Sequence, residues 1–168
     1  MVWDPFCGSG LELIERVLLG GVLRVYGTDR SREAISISER NFAAARVPAL
    51  EPKFICCDFR DFATVEKSAV NSVTLIISNP PMGKRVPIPN LKGLMDDLFA
   101  AAAVMLKIGG RLVFANPLRM ETSQTSLKLN FREVIDFGGF DCRLEMYTKV
   151  ARGFHSQNDP GHRKTHRY

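Results

Sequence analysis

At 168 residues the chain is long enough for one domain with a buried core and too short to hold two ordinary ones. Hydrophobic residues make up 45% and charged residues 24%, which excludes a disordered or fibrous class, and no apolar run approaches the roughly 18 residues a membrane-spanning helix requires. An excess of Lys and Arg (23) over Asp and Glu (18) gives a formal charge of +5, a bias toward polyanionic partners that excludes little by itself.

Taken in chain order, strand-like runs alternate with helix-like ones, the pattern of a mostly parallel sheet with helices on both faces. Residues 1–4 read as the end of a first strand, 9–19 as a helix closed by Gly20-Gly21, and 22–28 as a second strand. Ser31 is a candidate N-cap for a helix over 33–46 that Pro48 terminates. Residues 53–57 and 72–78 read as the third and fourth strands. A helix over 91–107, closed by Gly109-Gly110, leads to a fifth strand over 111–115. Beyond Pro117 the spacing predicts a helix over 127–137 and a sixth strand over 142–147. The fold class expected is therefore α/β, a Rossmann-like doubly wound domain over 1–150, followed by a polar tail over 151–168 that reads as a disordered terminus rather than a phosphate-binding arm. No secretory signal is visible, so the expected compartment is the cytoplasm. Cys7, Cys56, Cys57 and Cys142 form no C-x-x-C pair and have no His at ligand spacing, so no metal is expected.

Four segments carry chemistry. Asp4-Pro5-Phe6-Cys7-Gly8-Ser9-Gly10 stands where a strand hands over to a helix; Gly8 and Gly10 permit a tight turn and close approach of a ligand. The spacing does not fit G-x-G-x-x-G, which argues against a nicotinamide dinucleotide. Asp29, at the end of the second strand, can bind both hydroxyls of a ribose, and Asp58, at the end of the third, can accept a hydrogen bond from an adenine amino group. Either acid alone could be a helix cap or a solvated loop residue. Two at the carboxyl ends of consecutive strands, on the side of the glycine turn, favour a ligand site. Finally, Asn79-Pro80-Pro81 follows a buried strand, and the prolines leave carbonyls that cannot join the sheet. An exocyclic amino group is a poor nucleophile because its lone pair is delocalised. If the Asn79 side-chain oxygen and the Pro80 carbonyl accept its two hydrogens, electron density returns to the nitrogen. The three histidines all fall in the tail, so a histidine base is not expected.

Together these residues resemble a known family. D-P-F-C-G-S-G, two acidic strand ends and N-P-P-x-G-x-R look like the catalytic domain of the RNA guanine-N2 methyltransferases that usually carry a THUMP RNA-binding domain, over residues 1–117. The resemblance implies a class I methyltransferase fold and S-adenosylmethionine as cofactor. It also implies a cofactor pocket from Asp4, Phe6, Cys7, Gly8, Gly10, Asp29, Asp58 and Asn79, and a catalytic turn of Asn79, Pro80, Pro81 and Met82. It points to guanine N2, then adenine N6, in tRNA or rRNA.

Two features depart from that family. The family usually has Tyr or Phe where Met82 stands, an aromatic that stacks on the target base, and only three residues precede Asp4. The reading thus expects a domain incomplete at its N-terminus, without the upstream helix or the RNA-binding domain. Lys84 and Arg85, directly after the catalytic turn, are candidates for the phosphates that flank a flipped nucleotide, with a plain solvated turn as the alternative. Phe99, Met105 and Phe114 fall on periodic apolar faces and read as core. Alternative functions are a non-catalytic RNA-binding or assembly module that keeps the fold, and methylation of DNA adenine or protein glutamine.

Overall fold

A computed structural model describes residues 1–47, 51–83, 87–118, 120–136, 139 and 141–151. The chain runs β1 (Val2–Asp4), α1 (Leu11–Leu18), β2 (Val25–Asp29), α2 (Arg32–Ala44), β3 (Lys53–Cys56), α3 (Phe62–Val65), β4 (Val73–Ser78), α4 (Leu91–Met105), β5 (Leu106–Asn116), β6 (Leu127–Asp136) and β7 (Asp141–Lys149). A single 3-10 turn, Phe59–Asp61, joins β3 to α3. These strands form one seven-stranded sheet in the order β3-β2-β1-β4-β5-β7-β6. Strands β1 to β5 are mutually parallel, whereas β7 is antiparallel to both β5 and β6.

The period-two alternation of the central strands sorts the core into two layers. Val2, Val25 and Leu75 face α1 and α2, where they meet Leu13, Ile14, Ile35 and Phe42. Their neighbours Trp3, Tyr26 and Ile76 face α3 and α4 and meet Phe62, Met95, Leu98 and Phe99. Trp3, with its ring stacked 4.5 Å from Phe62 and its indole N–H donated to Thr28 Oγ1 at 3.1 Å, is fully buried with its polar atom satisfied. Phe99, Met105 and Phe114 are core, as their spacing predicts.

Gly27 has an ordinary backbone, yet an ideal Cβ there would lie 2.6 Å from Phe54 Cδ1 and 3.0 Å from Cys7 Cβ. Phe54 cannot swing away freely because its ring packs edge-on against Phe42. Gly27→Ala should therefore cost roughly 1–3 kcal/mol by overpacking. Urea denaturation checks this, and a variant as stable as the parent would show that Phe54 yields.

The first five strands, α2 and the Ser31 cap stand within a few residues of expectation; Ser31 Oγ accepts from Ala34 N at 3.2 Å. Two expectations are corrected. Gly109-Gly110 does not close α4. The helix stops at Met105, Leu106 is already extended and paired with Val73, and Lys107 to Gly110 loop out of the ladder before Arg111 rejoins it opposite Leu75. Gly109, with φ +79, supplies the left-handed residue that this excursion needs. The helix expected over 127–137 is instead the edge strand β6, so the sheet has seven strands rather than six. Leu127, Phe131, Val134 and Ile135 fit helical spacing only because the register shifts between Leu129 and Phe131 and throws the alternation out of phase. Pairing with β7 along the whole strand outweighs the local pattern. Residues 48–50, with Pro48, and the tail from 152 onward lie outside the described residues. Among the described residues no helix is long and apolar enough to cross a membrane.

Candidate active site

The carboxyl ends of β1, β2, β3 and β4 converge on one edge of the sheet, and the loops that leave them build the site. A cleft of about 620 Å³ opens there, lined by Pro5 and Phe6 after β1, Asp29 at the end of β2 with Arg30 next to it, Phe59 and Arg60 after β3, and Asn79 and Pro81 after β4. Its remaining wall is Ile88, Pro89 and Asn90, with Leu94 from the first turn of α4. Asn90 caps that helix: its side-chain oxygen accepts from Gly93 N at 2.9 Å.

Asp4 lies beneath this surface, fully buried. Its Oδ1 accepts from Ser78 Oγ at 2.5 Å and from Phe6 N at 3.0 Å, which ties the floor of the cleft to the end of β4. Oδ2 is buried and has no partner among the described residues. Burial pushes the Asp4 carboxyl up to about 7, opposed by the hydrogen bonds from Ser78 and Phe6 and assisted by the charges of Glu12 and Asp29.

The glycine turn is built as the sequence implies. Gly8 and Gly10 both have positive φ, +50 and +79, and Gly10 is the N-cap of α1. Gly8 N donates to Asp29 Oδ2 at 3.1 Å and Ser31 N to Asp29 Oδ1 at 2.8 Å, so the β1 turn and the end of β2 hold each other. Cys7 points away from the cleft into the core between α1 and α2, where Ser38 Oγ approaches its sulfur at 3.6 Å; burial pushes its thiol up to about 12. Its side chain is therefore packing, and only the backbone of Cys7 belongs to the turn.

Asp58 is not among the residues that line the cleft. It caps the 3-10 turn, with Oδ1 accepting from Arg60 N at 3.0 Å, while Oδ2 pairs with Arg60 Nη1 at 2.8 Å and lies 3.8 Å from Arg30 Nε. Arg60 also reaches Asp97 of α4 at 2.8 Å and so bridges two walls of the cleft. Asn79 directly follows β4 and is exposed, and its carboxamide has no hydrogen-bond partner among the described residues. Pro80 is buried, Pro81 lines the cleft, and Met82 is half-buried without lining it. Lys84 and Arg85 lie outside the described residues.

Sequence reasoning missed Arg30, Phe59, Arg60 and Leu94 as cleft walls. Arg30 and Phe59 each directly follow one of the two acidic strand ends, and that adjacency is the signal available without coordinates.

Comparison with known proteins decides the family. Residues 1–144 match the family model described as RMKL-like, methyltransferase domain. The chain belongs to the RMKL-like methyltransferase domain family. A tRNA (guanine(10)-N2)-dimethyltransferase of Methanocaldococcus jannaschii is 30% identical over 126 residues, which is 72% of this chain and 33% of that protein. TrmN from Thermus thermophilus has the same fold, with a TM-score of 0.71 over 89% of this chain and 43% of its own, at 24% identity. The magnesium protoporphyrin IX methyltransferase of Synechocystis, solved with bound SAM, shares the fold at a TM-score of 0.64 and 15% identity, over 89% of this chain and 70% of its own. This RMKL-like domain thus spans about 33% of the length of the curated relative it matches.

Proposed function

We propose that this RMKL-like domain transfers a methyl group from S-adenosylmethionine to an exocyclic amino nitrogen of an RNA base, guanine N2 first and adenine N6 next, in tRNA or rRNA. The observation that carries the reading is the uncommitted carboxamide of Asn79, which lines one cleft with Phe6 and Asp29. The family, and the tRNA guanine-N2 activity named for the archaeal relative, favour this chemistry over the alternatives.

The residues present fit the cofactor. Two left-handed glycines keep side chains out of the turn, Asp29 offers carboxylate lone pairs at the cleft wall, and Asp4 Oδ2 is a buried acceptor still lacking a donor. Asp29 would take the ribose hydroxyls, and the turn of Phe6, Gly8 and Gly10 the amino-acid end. Asp58 fits less directly, because it does not line the cleft and is paired with the Arg60 guanidinium; its part is to fix the Phe59–Arg60 wall against which an adenine would pack. Bound, S-adenosylmethionine would supply an electrophilic methyl group on a sulfonium, whose sulfur keeps the bonding pair and leaves as the neutral thioether.

The chain's own residues do the rest. Asn79 Oδ1 and the Pro80 carbonyl would accept the two hydrogens of the incoming amino group, which localises its lone pair. As the nitrogen gains the methyl and becomes cationic, one of these two hydrogens leaves as a proton to water at the open mouth of the cleft, giving the neutral methylamino group. Pro81, Ile88 and Leu94 present apolar surface and exclude water from the reacting groups. Lys84 and Arg85, next in the chain, are assigned to the phosphates beside the flipped base.

The test is transfer of tritium-labelled methyl to total RNA, DNA and protein, with the labelled product digested and identified. Label in N2-methylguanosine is the expected result. Label confined to DNA adenine or to protein glutamine overturns the substrate, and cofactor binding without transfer to any of the three supports the non-catalytic module instead.

A further inference from the structure

Across β4 from the cleft the sheet continues into β5, β7 and β6, and there it buries a carboxylate that the proposed chemistry does not use. Glu145 of β7 is fully buried and accepts from donors on all three of these strands. Asn116 Nδ2 of β5 reaches its Oε2 at 2.9 Å, the Tyr147 hydroxyl of β7 reaches the same oxygen at 3.0 Å, and Arg132 Nε of β6 reaches Oε1 at 2.7 Å. Strand register brings them together. Arg132 stands opposite Glu145 and Glu145 opposite Phe114, with Asn116 and Tyr147 next along the same face. Burial, and after it the charge of Glu145, push the Tyr147 hydroxyl up to about 12, so it stays a donor. One cation and two neutral donors satisfy the buried charge, but a well-packed apolar set would stabilise a fold as well. Stability alone therefore does not call for this cluster; what it specifies is a position.

That position is Asn116, which is itself buried. With Nδ2 committed to a group that only accepts, its carboxamide has one orientation, and Oδ1 is turned to accept from Leu118 N at 2.9 Å. Leu118 and Met120 then pack onto the α4 side of the core, which seats the chain as it leaves β5. This exit adjoins the catalytic turn. Ser78 pairs with Phe114, so Asn79 and Pro80 leave β4 alongside Ala115 and Asn116, about 4.8 Å away at ordinary strand spacing. On the methyl-transfer reading, attack is in line, and the amino group gripped by Asn79 comes from the side of the turn that the cofactor cleft does not occupy. The exit of β5 borders that side.

We propose that Glu145 is a positioning residue for the RNA substrate: through Asn116 it fixes the exit of β5, residues 116–118, as the wall that presents the base to Asn79. The role rests on the methyl-transfer reading, and its test separates the two.

That test is steady-state methyl transfer to total RNA by the full chain, with amide hydrogen exchange and thermal melting alongside. Glu145→Gln keeps the shape but removes the charge and can turn a donor toward Asn116. It should raise KM for RNA about fivefold or more, with kcat and cofactor affinity within about twofold of the parent. Exchange at the Leu118 amide should quicken about tenfold or more while the amides of β1 and β2 keep their protection. Asn116→Ala cuts the same link from its other end and leaves Arg132 and Tyr147 on Glu145; the same rise in KM and the same faster exchange are expected, which keeps the test open if Glu145→Gln does not fold. Val17→Ala, a truncation in the core beneath α1, should lower the melting temperature and leave KM within about twofold. An unchanged KM in the Glu145 and Asn116 variants, or an equal rise in Val17→Ala, would overturn the positioning role. So would a Leu118 amide that exchanges at the parent's rate in both. A parent that methylates no RNA would overturn the reading on which the role rests, and Leu118 exchange would still decide whether Glu145 holds the exit of β5.

Discussion

Asn79→Ala should lower methyl transfer by at least about a hundredfold while S-adenosylmethionine affinity stays within about threefold. The magnitude is that of removing one preorganised hydrogen-bonding group that acts mainly in the transition state. The side chain is exposed and unbonded among the described residues, so its removal costs the fold little and the loss is chemical. Asn79→Asp keeps an oxygen acceptor at the same point and should retain more activity than alanine. Single-turnover kinetics beside calorimetry separate the two quantities. Full activity in the alanine variant would refute the assigned role, and parallel loss of cofactor binding would move Asn79 from the chemistry to the cofactor.

A second large effect concerns stability. Asp4 has its carboxyl raised from 3.8 to about 7 by burial. Between those values the folded domain keeps a proton that the unfolded chain releases. The contribution of Asp4 to stability is therefore full below about pH 4 and is lost as pH rises through about 7, with a ceiling of about 4 kcal/mol at ~1.4 kcal/mol per pH unit. Asp4→Asn cannot release that proton, so the cofactor-free variant should be more stable than the parent at pH 8, with the difference closing toward pH 4. Urea unfolding across that range measures it. A variant that is less stable at every pH would mean that the Ser78 and Phe6 hydrogen bonds need the carboxylate itself.

The parts of the site that sequence reveals are those where one residue type is forced by local geometry. Gly8 and Gly10 announce a left-handed turn, Asp29 closes β2 at the cleft, and Asn79-Pro80-Pro81 cannot continue a sheet. The parts that stay hidden depend on contacts far apart in the chain. Arg60 reads as a surface charge until α4 brings Asp97 within 2.8 Å of it, and Asp58 reads as a free acceptor until Arg60 folds back on it. Cys7 sits in the glycine turn by sequence, but the turn aims its side chain at Ser38.

The same distinction governs the fold. The central parallel strands are buried on both faces and read as apolar runs. The edge strand β6 is exposed along much of its length, and one shift of register near Asn130 makes its pattern indistinguishable from a helix. Gly109-Gly110 was legible as a break after an apolar helix, yet glycine also permits a strand to loop out and rejoin its neighbour. Only the pairing of Leu106 with Val73 distinguishes the two.

The claim on which the rest depends is that the cleft beside Asn79 holds the methyl donor. Calorimetric titration of the intact protein with S-adenosylmethionine tests it most directly. The account predicts saturable binding at one site, weakened about tenfold or more in Asp29→Ala because a carboxylate that accepts ribose hydroxyls is lost. No saturable heat, or binding indifferent to Asp29, would contradict it.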